Sequence, residues 1–90
     1  MDAINNELAG ISASIAAISC HYLEYHLDNA LKLGADEIQI QNAVKIGLNV
    51  MEVIDYRIIK IINSKLPDLN VHEVIKHLNN YSNYWIRIPF

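Results

Sequence analysis

Apolar residues recur every three or four positions along most of the chain, which is the period of an amphipathic helix. The first such stripe runs from Ile4 to Ile18, and the opposite side of that helix carries small residues that permit close packing. Ninety residues are enough for one small domain. The pattern therefore predicts an all-α fold of about four to five helices, formed as a single domain over residues 1–90.

Polar residues at the ends of the stripes predict where the helices begin and end. Ser19 can cap a second helix over 20–33, and Gly34 is the residue type that usually follows a helix C-terminus. Asp36 opens the next helix, and Gln39, three residues later, completes a capping-box pair.

The third stripe continues from Ile40 to Leu66, just before Pro67, and is long for a small domain. Gly47 with Asn49 offers the break, so the 37–66 segment is either one kinked helix or two helices.

The last part of the chain, from Asn70 to Phe90, combines a short predicted helix with an apolar tail. Asn70 and Glu73 form another capping-box pair, which predicts a short helix through about Asn79. The tail beyond it is apolar and is expected to dock on the chain's own body or on a neighbouring subunit. Its large apolar residues are Tyr84, Trp85, Ile86, Ile88 and Phe90.

Composition predicts self-association. Hydrophobic residues make up 52% of the chain, above the roughly 45–50% of ordinary soluble domains. A chain of this length buries only about 60–65% of its unfolded surface, so apolar surface is left over for a homo-oligomer interface. The net charge of −3 and the scattered Lys and Arg residues argue against nucleic-acid binding.

Membrane and export functions are not expected. The longest uncharged run, from Leu8 to Leu23, contains His21 and several serines and falls short of a span of about 18–20 apolar residues. Asp2 and Glu7, with no Lys or Arg, give the start the wrong charge for a signal peptide, so we expect mature protein there. One cysteine allows no internal disulfide and fits a cytoplasmic location.

The segment SCHYLEYH, residues 19–26, carries the candidate chemistry. Cys20 occupies the first position of the second predicted helix, where the positive end of the helix dipole favours a thiolate. The alternative is a small buried hydrophobic residue. His21 and His26 are five residues apart, about 140° around a helix, so they do not share a face. Metal-binding pairs sit at i and i+4, and no metal site is expected.

Tyr22 and His26 do share a face, as a hydrogen-bonded pair or with His26 as a general base. Glu7 lies either on the exposed face of the first helix or turned inward, toward the start of the second. His72, Glu73 and His77 imitate a zinc motif, but the second histidine is one residue late, so the segment is interpreted as exposed helix surface.

Together, these residues and the segment DNALKLGADEIQIQNAVKIG after them resemble the carboxymuconolactone decarboxylase / alkylhydroperoxidase AhpD-like superfamily over roughly residues 4 to 50. The redox branch of that family carries E-x11-C-x-H-C-x3-H. Its two redox cysteines correspond to Ser19 and Tyr22, which we place in the substrate pocket, and Cys20 lies between them and matches neither. The positions of its proton relay correspond to Glu7, His21 and His26.

The resemblance implies a helical AhpD-like domain that assembles as a trimer or hexamer and needs no cofactor. Three functions stay open. The first is an antioxidant protein with peroxidase-type thiol chemistry at Cys20, resolved by an external thiol. The second is a non-redox acid–base enzyme of the decarboxylase type, in which Glu7, His21 and His26 act on a small anionic ligand. The third is a catalytically inactive oligomeric scaffold.

Overall fold

The computed structural model describes residues 2–51, 53–74 and 85–87. This part of the chain is predominantly helical, as predicted, and it adds a pair of three-residue strands that the pattern did not predict. Residues 71–74 are also helical. The bounded elements are α1 (Ala3–Ala16), α2 (Cys20–Lys32), α3 (Glu37–Val50), β1 (Val53–Asp55), α4 (Tyr56–Lys65) and β2 (Trp85–Arg87).

Helix α1 ends two residues before the predicted Ile18, in a left-handed turn. The Ile18 N–H donates to the Ile15 carbonyl at 3.0 Å, and the Ser19 N–H donates to the Ser14 carbonyl at 2.8 Å. These are the two hydrogen bonds of a Schellman cap, which places Ile18 at a φ of 55°. A β-branched residue is strained in this conformation by about 1–2 kcal/mol, and the strain lies directly before Ser19 and Cys20.

Helix α2 also ends in a Schellman cap, here on a glycine, which adopts a positive φ without strain. Gly34 takes a φ of 78°, and its N–H and that of Ala35 donate to the carbonyls of Leu31 and Ala30. The predicted stop at Gly34 is therefore confirmed. At the other end of α2, Ser19 is the N-cap residue, but its side chain makes no capping hydrogen bond.

The capping box of α3 forms as predicted. The Asp36 carboxylate accepts from the Ile38 N–H at 2.7 Å, and the Asp36 N–H donates to the Gln39 side chain at 3.1 Å. Further on, Asn70 accepts from the Glu73 N–H at 3.1 Å and begins the helical residues 71–74. The predicted end at Asn79 lies outside the described residues.

The 37–66 segment forms two helices, one of the two alternatives left open. Of the predicted break at Gly47 with Asn49, the Gly47 part is wrong, because α3 continues through both residues to Val50. Gly47 is buried inside α3, and a Cβ placed there would lie 2.7 Å from the Ile15 Cβ and 2.9 Å from the Ser12 carbonyl oxygen of α1. The glycine therefore serves close helix packing. The helix ends at Val50, and α4 begins after β1 with Asp55 as its N-cap.

Part of the C-terminal tail pairs with the chain's own body. Strand β2 runs parallel to β1, with Ile86 opposite Ile54 in the middle of the ladder. This backbone pairing agrees with the expectation that the tail docks. Tyr84, Ile88 and Phe90 lie outside the described residues.

One core unites the four helices. α1 packs against both α2 and α3, and α4 packs against α2, where the Lys65 ammonium binds the Asp28 carboxylate at 2.7 Å. Within the described residues, no helix is long and apolar enough to cross a membrane. The fully buried large side chains are Ile11, Ile15, Leu23, Leu27, Ile40, Val44, Leu48, Met51, Ile58, Ile62 and Val71.

Candidate functional site

A hydrogen-bonded acid–base pair joins α1 to α2. The Nδ1 atom of His26 lies 2.7 Å from the Oε2 atom of Glu7, across 19 residues of sequence. The two side chains are 22% and 14% exposed, respectively. Glu7 is thus turned inward, toward α2, and the pair is shielded while the imidazole remains within reach of a small ligand.

Gly10 provides the space for the imidazole ring. A Cβ at this position would lie 2.5 Å from the His26 Nδ1 and 2.6 Å from two carbons of the ring. These distances are far below van der Waals contact, so the ring lies directly against the α1 backbone. Gly10 and Glu7 are three residues apart on α1, which places both on the face that meets His26.

Two further rings of α2 contact the imidazole, and a third contacts one of these two. Tyr22 stacks on His26 with the centroids 6.5 Å apart, and Tyr25 meets it edge-on at 5.1 Å. His21 is exposed and meets Tyr22 edge-on at 5.4 Å. No hydrogen bond described in this structure joins Tyr22 to His26, so the predicted Tyr–His hydrogen bond is replaced by ring stacking.

The pairing with Glu7 defines the chemistry open to His26. When the Glu7 carboxylate accepts a hydrogen bond from Nδ1–H, the neutral imidazole carries its free lone pair on Nε2. The carboxylate also stabilises the imidazolium that forms when Nε2 takes up a proton, as in carboxylate–histidine pairs of hydrolytic enzymes. This arrangement suits a general base that later returns its proton as an acid.

Cys20 lies in a different place, in a cleft between α2 and α4. The cleft has a volume of about 670 Å³, and the partly buried Cys20 packs against the core at its edge. Cys20 and His26 are six residues apart on α2, so their side chains point about 120° apart around the helix. The residues lining this cleft are Cys20, Glu24, Tyr56, Arg57, Lys60, Ile61, Ser64 and Lys65.

The cations of this cleft are mostly paired. The Arg57 guanidinium binds both oxygens of Asp55, at 3.1 and 2.9 Å, and lowers the pKa of that carboxyl. In return Asp55, with a lesser contribution from the Cys20 side chain, raises the pKa of Arg57. Asp28 raises the pKa of Lys65 in the same way. Arg57 thus lines the same cleft as Cys20 with its guanidinium held by Asp55.

The remaining predicted site residue, Ser19, is half-buried at the start of α2 and joins neither grouping. His72 and Glu73 are exposed on the helical residues 71–74, which confirms their interpretation as exposed helix surface. His77 lies outside the described residues. In the parts of the chain that the structure describes, no group of three or more His, Cys, Asp or Glu side chains could hold a metal ion.

Three contributors to these sites were missed in the sequence. Gly10 was noted only as a small residue that permits close packing, and its fit to one particular ring has no sequence signal. Tyr25 follows Tyr22 by three residues, which is a helical neighbour spacing and could have indicated a shared aromatic cluster. Arg57 is separated from Cys20 by 37 positions, and only the packing of α4 on α2 reveals their proximity.

Comparison with known proteins gives no match. No family model, no curated protein and no solved structure is similar to this chain. Membership of the AhpD-like superfamily therefore stays a prediction from the residues quoted above.

Proposed function

We propose that this chain is an AhpD-like acid–base enzyme in which His26 transfers protons and Glu7 orients and polarises it. The observation that carries the proposal is the 2.7 Å contact between Glu7 and His26, which the absence of a side chain at Gly10 makes possible. Two residues that the family resemblance assigns to a proton relay are thus also paired in space.

The reaction class is proton transfer on a small ligand with an acidic hydrogen. Nε2 of His26 takes the proton, the Glu7 carboxylate stabilises the imidazolium, and the proton is returned to another atom of the same ligand. Tyr22 and Tyr25 supply ring faces beside the imidazole. The decarboxylase-type relatives implied by the resemblance point to small carboxylates as the first ligands to test.

The test is a comparison of turnover across a panel of small lactones and keto acids that carry a carboxylate. His26→Ala is expected to lower kcat by about 10²–10⁴-fold, the usual contribution of a general base. Glu7→Gln is expected to lower kcat with little change in KM, because the amide can still accept a hydrogen bond but carries no charge. Cys20→Ser is the matched control and is expected to leave turnover unchanged.

Two results would contradict this proposal. Turnover that survives His26→Ala would remove the histidine from the chemistry. Wild-type protein that leaves the whole panel unchanged would favour the inactive scaffold, provided that it also leaves peroxides unchanged.

A second candidate function is peroxidase-type thiol chemistry at Cys20, favoured by the position of Cys20 beside cationic side chains, including Arg57, in the lining of one open cleft. The thiolate would attack one peroxide oxygen and release an alcohol, leaving a sulfenic acid. An external thiol would then form a mixed disulfide and release water, and a second thiol would restore Cys20. Peroxide consumption with a small thiol that is lost in Cys20→Ser and retained in His26→Ala would support this candidate over the first.

The expected homo-oligomer, a trimer or hexamer by the resemblance, is also part of the proposal. It is supported by the high apolar content and by the large apolar side chains that one chain leaves exposed.

A further inference from the structure

Helix α3 carries an apolar row on the side that faces away from the core. Its buried side, which includes Ile40, Val44 and Gly47, packs toward the core and α1. On the opposite side, Ile38 and Ile46 are 67% and 58% exposed, with the exposed Asn42 midway between them. Steps of four residues place these three side chains in one row along the helix.

A charged row runs beside the apolar one. Glu37, Gln41 and Lys45 follow the same four-residue step, displaced by one position, and Glu37 and Lys45 are both exposed. Gln41 donates a 3.3 Å hydrogen bond to Glu37 within the helix. The row therefore has a negative end and a positive end, with a neutral amide at its centre.

These two rows are complementary to themselves under a two-fold rotation. In an antiparallel pair of α3 helices centred between Gln41 and Asn42, each Ile38 would meet the Ile46 of the other copy. The rotation keeps each row on its own side of the pair, so each Glu37 would also lie opposite the other copy's Lys45. An isologous interface requires this reciprocity of one patch with itself.

A groove beside the apolar row of α3 could accommodate the Ile38 side chain of a second copy. It has a volume of about 330 Å³ and lies between α1 and α3, where Leu8, Ala9 and Ser12 face Ala43 and Ile46. Ile38 is the most exposed of the large apolar side chains of the described residues. In the antiparallel arrangement, the Ile38 of one copy would lie over the Ile46 end of this groove in the other.

We propose that α3 forms a two-fold interface between copies of this chain, packed antiparallel on the α3 of a second copy, with Ile38 against Ile46 and Glu37 opposite Lys45. A second copy is the occupant because the charge order and the spacing of the isoleucines match the chain's own surface. The interface is independent of the Glu7–His26 pair. It is compatible with a dimer, and with a hexamer in which two-fold axes join two trimers.

Disulfide trapping tests the geometry. In a Cys20→Ser background, Asn42→Cys places one thiol of each copy near the two-fold axis, so mild oxidation is expected to give a covalent dimer. Asn63→Cys, at an exposed position of α4, is the matched control and should crosslink several-fold more slowly. Equal rates at the two positions would overturn the proposal.

Charge reversal tests the pairing in solution, by light scattering after size-exclusion chromatography. We expect a mass of at least twice the 10.2 kDa of one chain. Ile38→Asp and Glu37→Lys should each lower it, and the double variant Glu37→Lys/Lys45→Glu should restore it. All three positions are exposed, so circular dichroism should show unchanged helix content. A monomeric wild type, which would leave a different partner as the occupant, or an assembly unaffected by Ile38→Asp, would overturn the proposal.

Discussion

His26 lies where it does because position 10 of α1 has no side chain. The ring takes the volume that a Cβ would occupy and reaches Glu7 one turn earlier on the same helix. Ile18 is a second residue with an unusual local conformation. Its backbone has a left-handed φ of 55° immediately before α2, which β-branched residues rarely adopt. Such strain persists only where surrounding contacts enforce it, and Ile18 packs against the core.

Gly10→Ala is expected to destabilise the protein, although alanine has a higher intrinsic helix propensity than glycine. In an unhindered helix the change stabilises by about 0.5–1 kcal/mol, whereas here the new methyl group must displace the imidazole. We expect a net loss of about 1–3 kcal/mol in the free energy of unfolding, the usual range for overpacking, together with loss of the His26–Glu7 bond. Urea denaturation measures the first, and the imidazole NMR resonances report the second.

His26→Ala provides the control for that prediction. Once the ring is removed, Gly10→Ala should become neutral or stabilising, so the double-mutant cycle should give a coupling free energy of about 1 kcal/mol or more. Additive effects of the two substitutions would contradict the packing of His26 against Gly10.

At the scale of the helices, two contacts set how the elements meet. α1 and α3 approach so closely that the Ser12 hydroxyl donates to the Ala43 carbonyl at 2.7 Å, and Gly47 leaves room for Ile15. The 53–55 strand separates α3 from α4, and Asp55 ends the strand and caps the following helix. The path of the chain after α3 therefore depends on a cap and not on the glycine.

Gly47→Ala is expected to cost about 1–3 kcal/mol of unfolding free energy through overpacking between α1 and α3. The obstructing atoms are the Ile15 Cβ and a backbone oxygen, so no shorter side chain at position 15 removes them. Ile15→Val should therefore fail to rescue Gly47→Ala, in contrast to the rescue of Gly10→Ala by His26→Ala. Full rescue in denaturation measurements would mean that the backbones are further apart than described.

Asp55→Ala is expected to lower stability by about 1 kcal/mol, because the carboxylate accepts from the Arg57 N–H at 2.8 Å as the N-cap of α4. Asp55→Asn keeps a capping oxygen but loses the ion pair with Arg57, a largely solvated pair of small effect. Arg57 holds the pKa of Asp55 below its ordinary value of 3.8. The contribution of the charge is thus fully present above pH 3.8 and is lost as pH falls through the folded-state pKa.

The measurement compares wild type with Asp55→Asn in urea, at neutral pH and at several values below pH 3.8. The difference in unfolding free energy should shrink on acidification. A difference that grows as the pH falls would contradict the lowered pKa.

At the scale of the whole molecule, the two candidate sites use different surfaces of α2. One face of this helix meets α1 and presents the Glu7–His26 pair, and another meets α4 and presents Cys20. The outward side of α3, with the proposed two-fold interface, belongs to neither. Acid–base chemistry, thiol chemistry and assembly can therefore be separated by single substitutions, because none of the three groups of residues shares a member.

Local signals along the chain were enough to predict the helices and most of their ends. The apolar period, the capping box at Asp36 and the glycine at position 34 are local signals, and local backbone preferences suffice to satisfy them. Glu7 and His26 became candidates through the resemblance to the AhpD-like superfamily. The break of the 37–66 segment was predicted at Gly47 with Asn49, because a glycine within a helical stripe resembles a stop.

The roles of the glycines and the contacts between the candidate residues follow from how the helices pack. Gly10 and Gly47 leave room for side chains or backbone of other helices. Such a packing constraint does not appear in the hydrophobic period of either helix sequence. The same holds for the turn of Glu7 toward His26, the proximity of Arg57 to Cys20 and the parallel pairing of 85–87 with 53–55. Each is a contact between residues distant in sequence, and such contacts are set by how the helices pack.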